Sequence, residues 1–314
     1  MKNYLKKLSA LLAFACIFAL LPISAAASPS QKVAPGFEVK FLLDPDVVLE
    51  NGELKQEFMD LFEINDYNDR LVQYIDTTDK AFEAEGWTNR VRVKASRKKD
   101  YRFELSFKKR YAVEDLGSGI NWEAMEATIN KARKDGFYPG SDVYPAEIDW
   151  GYNKATLSFS WEENVYRTGD YSHYPVKFAP PALEDAMSML LEHMKRNERD
   201  WKGTFWATDL LNRDAHTYGT IYYRKYVGTF SGAEDDEISC EVWPIKDENG
   251  EGKEYIVEIS FNVKSAPDAF GTADALRTQL LNTLRSTKID GKNILVEGDG
   301  LKTATILDRY SPAN

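Results

Sequence analysis

Histidine and cysteine are nearly missing from this chain, with three of the first and two of the second in 314 residues. So few histidines exclude a His-cluster metal site, and two cysteines exclude a disulfide scaffold or a zinc ribbon. No G-x-S-x-G, P-loop or H-E-x-x-H motif occurs, which removes the common signatures of serine hydrolases, nucleotide-binding loops and zinc proteases. Basic charge is in deficit: 40 Lys plus Arg stand against 50 Asp plus Glu, a net of -10. A general nucleic-acid surface needs the opposite balance. The deficit does not forbid a small basic site inside an acidic shell. Low-complexity linkers and internal repeats are also absent.

What is present begins at the N-terminus. Lys2, Lys6 and Lys7 precede an apolar run from Leu8 to Leu21, Pro22 ends it, and Ala25-Ala26-Ala27 offers a small-residue cleavage site before Ser28. This reads as a secretory signal peptide over residues 1–27, because a spanning helix needs roughly 20 apolar residues. Secretion or a cell-envelope location is therefore expected, with no membrane attachment after cleavage. The remaining chain carries 37 basic and 50 acidic residues, or -13, and one thiol, Cys240. A lone thiol closes no internal disulfide and is expected as a buried structural residue.

Residues 28–35 form a short polar lead-in. Beyond it, alternating runs predict strands at Phe37 to Leu43, Leu71 to Thr77, Thr88 to Ala95, Tyr101 to Tyr111, Glu147 to Trp150, Ala155 to Trp161, Thr217 to Phe230, Glu237 to Ile245 and Glu254 to Val263. Arg97-Lys98-Lys99-Asp100 is the natural turn of one hairpin. Helical spacing predicts helices over Glu53 to Ile64, after an N-cap at Asn121, after Pro180-Pro181, and from about Thr272 to Leu284. A short hairpin is expected in the tail. The fold class is α+β, with a coarse count of about eight strands and four helices.

Strand side chains alternate in direction, so residues two apart share a face. Glu38 and Lys40 share one. So do Arg90, Arg92 and Lys94, then Arg102, Glu104, Ser106, Lys108 and Arg110, and finally Glu258, Ser260, Asn262 and Lys264. Each opposite face is apolar. A sheet with one side in water accounts for most such patterns. Here, however, the charged faces are rich in Arg and Lys within an acidic protein, and helices are available for the apolar side. Closing the sheet turns the charged face inward, which is costly unless an anion fills it. Arginine forks suit phosphate oxygens.

The same residues resemble a known family in order. Glu38-Val39-Lys40 is similar to the second half of the E-x-E-x-K signature of CYTH proteins, the triphosphate tunnel metalloenzymes. Tyr74-Ile75-Asp76-Thr77 resembles the Y-x-D-T segment of that family. Gly86 to Arg92 resembles its G-x-x-L-R-I-R strand, and Phe103 to Lys108 its L-T-x-K strand. Tyr223-Arg224-Lys225-Tyr226 and Tyr255 to Ser260 sit where the family has an arginine-bearing strand and a late E-x-E strand.

The resemblance covers residues 36–265 with a central insertion at about 112–216, leaving 266–314 as a C-terminal helix and tail. It implies an eight-stranded antiparallel β tunnel barrel with peripheral helices, holding a triphosphate or inorganic polyphosphate anion. Lys40, Arg90, Arg92, Lys108 and Arg224 would grip phosphate oxygens. Glu38 and Glu258 would hold a catalytic divalent metal, Mg²⁺ or Mn²⁺, for metal-dependent hydrolysis. Two departures matter: Gly36 and Ser260 stand where the family has carboxylates. Each removes a ligand from the implied metal cluster, with Glu104 or Glu241 as substitutes only if they face the lumen. Binding is thus better supported than catalysis.

Other candidates compete with this reading. Glu147 and Asp149 could be a glycosidase-like carboxylate pair, although a solvated strand face is the simpler account. Trp150, Trp161, Trp201 and Trp206 could form a sugar platform, although core packing is the simpler account. They support a second hypothesis, a non-catalytic envelope module that recognises a glycan or protein through the aromatic insertion. His173, His193 and His216 are scattered, and Glu234-Asp235-Asp236-Glu237 is most simply a solvated turn.

Overall fold

A computed structural model describes residues 34–94, 100–115, 120–140, 145–168, 213–300 and 302–310. The expected signal peptide and nearly all of the lead-in, the Arg97-Lys98-Lys99 turn, the helix after Pro180-Pro181, His173, His193, Trp201 and Trp206 lie outside the described residues.

Nine strands close into a barrel. In chain order they are β1 (Gly36–Leu43), β2 (Asp66–Asp76), β3 (Trp87–Lys94), β4 (Asp100–Val113), β5 (Ala146–Trp150), β6 (Ala155–Thr168), β7 (His216–Thr229), β8 (Glu237–Lys246) and β9 (Lys253–Val263). Around the wall the order is β1-β5-β6-β4-β3-β2-β7-β8-β9, with β9 returning to β1. Eight all-antiparallel strands were expected. With an odd number, strand directions cannot alternate all the way round, so at least one pairing must be parallel. That pairing is β1 with β5, with Glu38 opposite Asp149 and Gly36 opposite Glu147.

The stretch expected as an insertion, about 112–216, therefore supplies β5 and β6 to the wall. β2 also begins five residues earlier than its apolar pattern. Its polar start, Asp66 to Arg70, is held by backbone pairing to β7 rather than by burial.

Among the described residues the α-helices are α1 (Gln56–Leu61), α2 (Ala81–Ala84), α3 (Trp122–Lys134), α4 (Ala269–Ser286) and α5 (Lys302–Arg309), and a small hairpin joins β10 (Lys288–Ile289) to β11 (Lys292–Asn293). Asn121 caps α3 as its sequence implies, its side-chain oxygen accepting from the Ala124 N–H at 3.0 Å. The α2 turn is capped by Asp76, whose buried carboxylate accepts from the N–H groups of Thr77, Phe82 and Glu83 at 2.8–2.9 Å. Gly86 follows at φ +79, and a Cβ there would meet the Arg110 carbonyl oxygen at 2.7 Å. That close approach sets the start of β3 against β4.

Two apolar clusters hold the barrel. The larger lies outside the wall. Phe37, Val39, Phe41 and Leu43 of β1 face outward and are buried with Ala273, Leu280 and Leu284 of α4. Trp150 stacks on Phe270 with ring centroids 5.6 Å apart, and Tyr111 meets Phe137 and Phe159 edge to face beside α3. The smaller cluster lies inside the barrel, where Ile306 and Leu307 of α5 are buried among Val72, Tyr74, Tyr223, Trp243 and Ile245. The tail helix thus fills part of the lumen with apolar side chains. Burying each such side chain contributes on the order of 1.5–3 kcal/mol. Cys240 is fully buried, as expected of a structural thiol.

Candidate functional site in the barrel lumen

What the plug leaves open is a cavity of about 1120 Å³, lined by residues of all nine strands and by the segment entering α5. Alternation puts Glu38 and Lys40 of β1 inside because Phe37, Val39 and Phe41 are held outside. The same rule brings in Arg90 and Arg92 of β3, Lys108 and Arg110 of β4, and Glu241 and Glu258 of β8 and β9. Lys40, Arg90, Arg92 and Lys108, read on the charged faces of three separate strands, line one cavity.

Arg224 does not join them. Its neighbour Tyr223 faces inward and stacks on Trp243, centroids 3.9 Å apart, so alternation turns Arg224 outward. There it lies 3.7 Å from Glu53 and 3.8 Å from Asp69, over the Tyr67 ring. The inward cation of that strand is Lys225.

The lumen was expected to be basic. It is balanced instead, because nine Lys or Arg and nine Asp or Glu among the described residues line the cavity. Cross-strand register produces the pairing: Arg92 stands opposite Glu104 on β4 and forms an ion pair with it. Glu162 of β6 lies 3.6 Å from Arg90 and 3.7 Å from Arg92, and it is 43% exposed. Both separations exceed hydrogen-bond length. Arg90 Nε and Arg92 Nε are buried without a partner among the described residues.

A second knot surrounds Asp149, which is only 5% exposed. Glu147 and Asp149, which the simpler sequence account left in solvent, both line the cavity. Lys108 lies 3.3 Å from each, and Lys40 lies 3.2 Å from Glu38. Burial would raise the Asp149 carboxyl, but Lys108, Lys40 and Arg110 hold it well below the usual carboxylate range. Burial pushes Glu147 up to about 7, with the charges of Glu38 and Asp149 adding and that of Lys108 opposing. Burial also opposes the Lys40 ammonium, yet Asp149, Glu38 and Glu258 hold it well above the ordinary lysine range. Burial draws Arg110 down.

The metal pair implied by resemblance, Glu38 with Glu258, is not brought together. Register sets Glu258 opposite Leu42, four residues along β1 from Glu38. That is about 13 Å of strand. Instead, carboxylate oxygens of Glu38, Glu147 and Asp149 lie within 4.8 Å of one another. The parallel β1–β5 rungs thereby place two carboxylates beside the strand that has glycine at position 36. Three hard oxygen donors facing an open cavity suit Mg²⁺ or Mn²⁺. Ser260 lies against Ser239, their hydroxyl oxygens 3.2 Å apart, and Glu258 and Glu241 are both engaged by Lys302 at 2.7 Å. Glu104 is engaged by Arg92.

Residues overlooked at the sequence level include Arg110, Lys225, Glu162 and Lys302. Arg110 carried a signal, since it shares parity with Lys108. Lys225 carried one too, through the aromatic at position 223. Lys302 sits in a tail with no strand pattern around it. Trp150 and Trp161 are buried in the outer core and present no sugar platform.

No family model matches the sequence, and no curated protein matches it. Solved structures that resemble the fold include HpAC1 from Hippeastrum, an adenylyl cyclase candidate with a dominant triphosphatase activity. It is 12% identical with a TM-score of 0.44, over 86% of this chain and 93% of that one. An adenylate cyclase candidate from Bacillus halodurans is 12% identical with a TM-score of 0.38, over 83% and 96%. A protein of Pyrococcus horikoshii OT3 is 12% identical with a TM-score of 0.34, over 82% and 94%.

Proposed function

We propose that this is an exported protein whose barrel binds a triphosphate or short inorganic polyphosphate inside its lumen. One observation carries the reading: Lys40, Arg90, Arg92 and Lys108 converge on one cavity, and the Nε of both arginines has no partner among the described residues. A buried donor without an acceptor costs about 1–3 kcal/mol, and a phosphate oxygen would satisfy it. Glu162 is the carboxylate such an anion would displace. It is exposed and lies beyond hydrogen-bond distance, so it yields at little cost. Lys40, Arg92 and Lys108 each have a carboxylate counter-charge with which an incoming anion would compete.

Glu38, Glu147 and Asp149 are the residues that would hold a divalent cation. When bound, it would supply positive charge to phosphate oxygens and polarise a water for hydrolysis. The residues of the chain itself would bind and straighten the anion. Arg90 and Arg92 take oxygens from the β3 side, while Lys40 and Lys108 take them from the β1 and β4 sides.

Calorimetry with tripolyphosphate tests the binding. Measurable affinity that is lost in Arg90→Ala plus Lys108→Ala is expected, and affinity unchanged by that pair overturns the assignment. A malachite-green assay with Mg²⁺ or Mn²⁺ across tripolyphosphate, nucleoside triphosphates and thiamine triphosphate tests hydrolysis. No phosphate release with any of them leaves a binding protein and removes the hydrolase. Export is tested by N-terminal sequencing of protein recovered from medium or envelope. A start at Ser28 is expected, and an intact Met1 refutes it.

A further inference from the structure

Across β8 and β9 the register sets Glu241 directly opposite Glu258. Two carboxylates facing each other on one face of a sheet repel, and a buried pair repels more strongly. Lys302, the first residue of α5, lies between them with its ammonium 2.7 Å from an oxygen of each. The same ammonium lies over the Trp243 ring at 4.7 Å, and the Trp243 indole N–H donates to Glu241 at 3.0 Å.

Lysine is a poor choice for the first turn of a helix, where the dipole disfavours positive charge. Its presence there is explained by the two acids and not by the helix. Burial would lower the Lys302 ammonium, yet Glu241 and Glu258 hold it above the ordinary lysine range. Burial would raise Glu241, which Lys302 instead pulls below the ordinary carboxylate range.

The segment carrying Lys302 is fixed from both sides. Asp299 accepts from the N–H groups of Tyr152 and Asn153 at 2.6 and 2.7 Å, and Ile306 and Leu307 are buried inside the barrel. Arg309 donates to the Lys246 carbonyl at 2.9 Å, and the Tyr310 hydroxyl accepts from the Lys246 N–H at 3.2 Å. The ammonium is therefore held at the acids by the fold and not by a flexible tether.

We infer that Lys302 is an intramolecular counterion that takes the place of a divalent cation between Glu241 and Glu258, closing that end of the lumen to metal. The pair has the chemistry of a hard-cation site, with two carboxylates facing each other in a buried, polar position. A lysine delivered by the tail helix satisfies it permanently. Any divalent cation in the lumen is then confined to Glu38, Glu147 and Asp149. The inference concerns metal and holds whether or not the lumen takes a polyphosphate.

The test counts bound Mn²⁺ by electron paramagnetic resonance on the purified protein, comparing wild type with Lys302→Met. Lys302→Met is expected to bind one more Mn²⁺ per chain than wild type, and the gain is expected to vanish in Lys302→Met combined with Glu258→Gln. No gain in folded Lys302→Met overturns the inference. A loss of Mn²⁺ in Glu258→Gln alone overturns it as well, because metal would then already sit at the pair. Should Lys302→Met fail to fold, Glu258→Gln decides: an unchanged count supports the counterion and a reduced count refutes it. Failure of tripolyphosphate binding in calorimetry leaves these counts untouched, so the two readings fail separately.

Discussion

The Oδ1 atom of Asp149 lies 3.3 Å from the Lys108 ammonium, and the same oxygen lies 3.3 Å from Lys40. One buried carboxylate thereby serves two of the cations proposed to grip phosphate, and it is the charge against which an incoming anion must compete. Asp149→Asn is expected to tighten tripolyphosphate binding while weakening the fold. Removing one partner of a buried pair costs roughly 3–5 kcal/mol, and access of water to Lys40 places the loss at the lower end. Urea melts read the stability and calorimetry reads the affinity. Weaker anion binding in a folded Asp149→Asn would count against the proposed grip.

Arg90→Ala and Arg92→Ala are each expected to weaken tripolyphosphate binding about ten- to a hundredfold, as loss of a charge-assisted hydrogen bond of roughly 1.5–3 kcal/mol implies. Arg224→Ala is expected to leave affinity unchanged, because that side chain lies outside the wall against Glu53 and Asp69. Calorimetry on the three variants separates lumen from exterior. Equal losses in all three would mean that charge at a distance, and not contact, sets the affinity.

Glu147 supplies a pH dependence. Its carboxyl is pushed up to about 7 by burial, so it is neutral at pH 6 and ionised at pH 8. Ionisation adds a negative charge to the lumen, and anion affinity is expected to fall as pH rises through 7. Glu147→Gln should flatten the part of the profile that does not come from titration of the anion itself. Folding stability depends on this carboxyl as well. The folded value lies above the unfolded one of about 4.3, so between the two the folded state binds the proton more tightly. The contribution of this group therefore declines as pH rises across that window, and melting temperatures of wild type and Glu147→Gln should converge toward acid pH.

Asp76 belongs to a motif that resembles a functional signature, yet its carboxylate is spent on three backbone N–H groups of the α2 turn. Asp76→Ala is expected to cost about 2 kcal/mol or more, at the upper end of a lost cap because several donors are left buried. Chemical denaturation measures this. Affinity for tripolyphosphate in the folded fraction should change little, and a selective loss of affinity without loss of stability would assign Asp76 to the site.

Divalent metal gives the last expectation. Mn²⁺ binding in the lumen should fall in Glu38→Gln and in Asp149→Asn, the two residues opposed on a parallel rung. Titration followed by electron paramagnetic resonance reads it directly. A Mn²⁺ count indifferent to both would place the metal elsewhere.

Much of the barrel was legible in the chain because alternation is a local property. Phe37, Val39 and Phe41 against Glu38 and Lys40 already separate two faces, and the same holds for Arg90 with Arg92 and for Lys108 with Arg110. The caps and turns, such as Asn121 before α3, were equally local. Arg224, which only the resemblance implied, turns away from the cavity: a strand read without its partner has two possible parities, and one stacked ring, Tyr223 on Trp243, selects between them.

What the sequence by itself determined is therefore which residues share a face, which faces are apolar, and that many basic side chains of an acidic protein lie on a few strands. Only the tertiary structure decided that nine strands close with one parallel seam. That seam sets Glu147 and Asp149 beside Glu38, and closure separates Glu38 from Glu258 and brings Lys302 from the tail into the lumen. The physical reason is range. The facing of a side chain follows from its two neighbours on the backbone, whereas strand order and register depend on hydrogen bonds and packing between segments far apart in the chain.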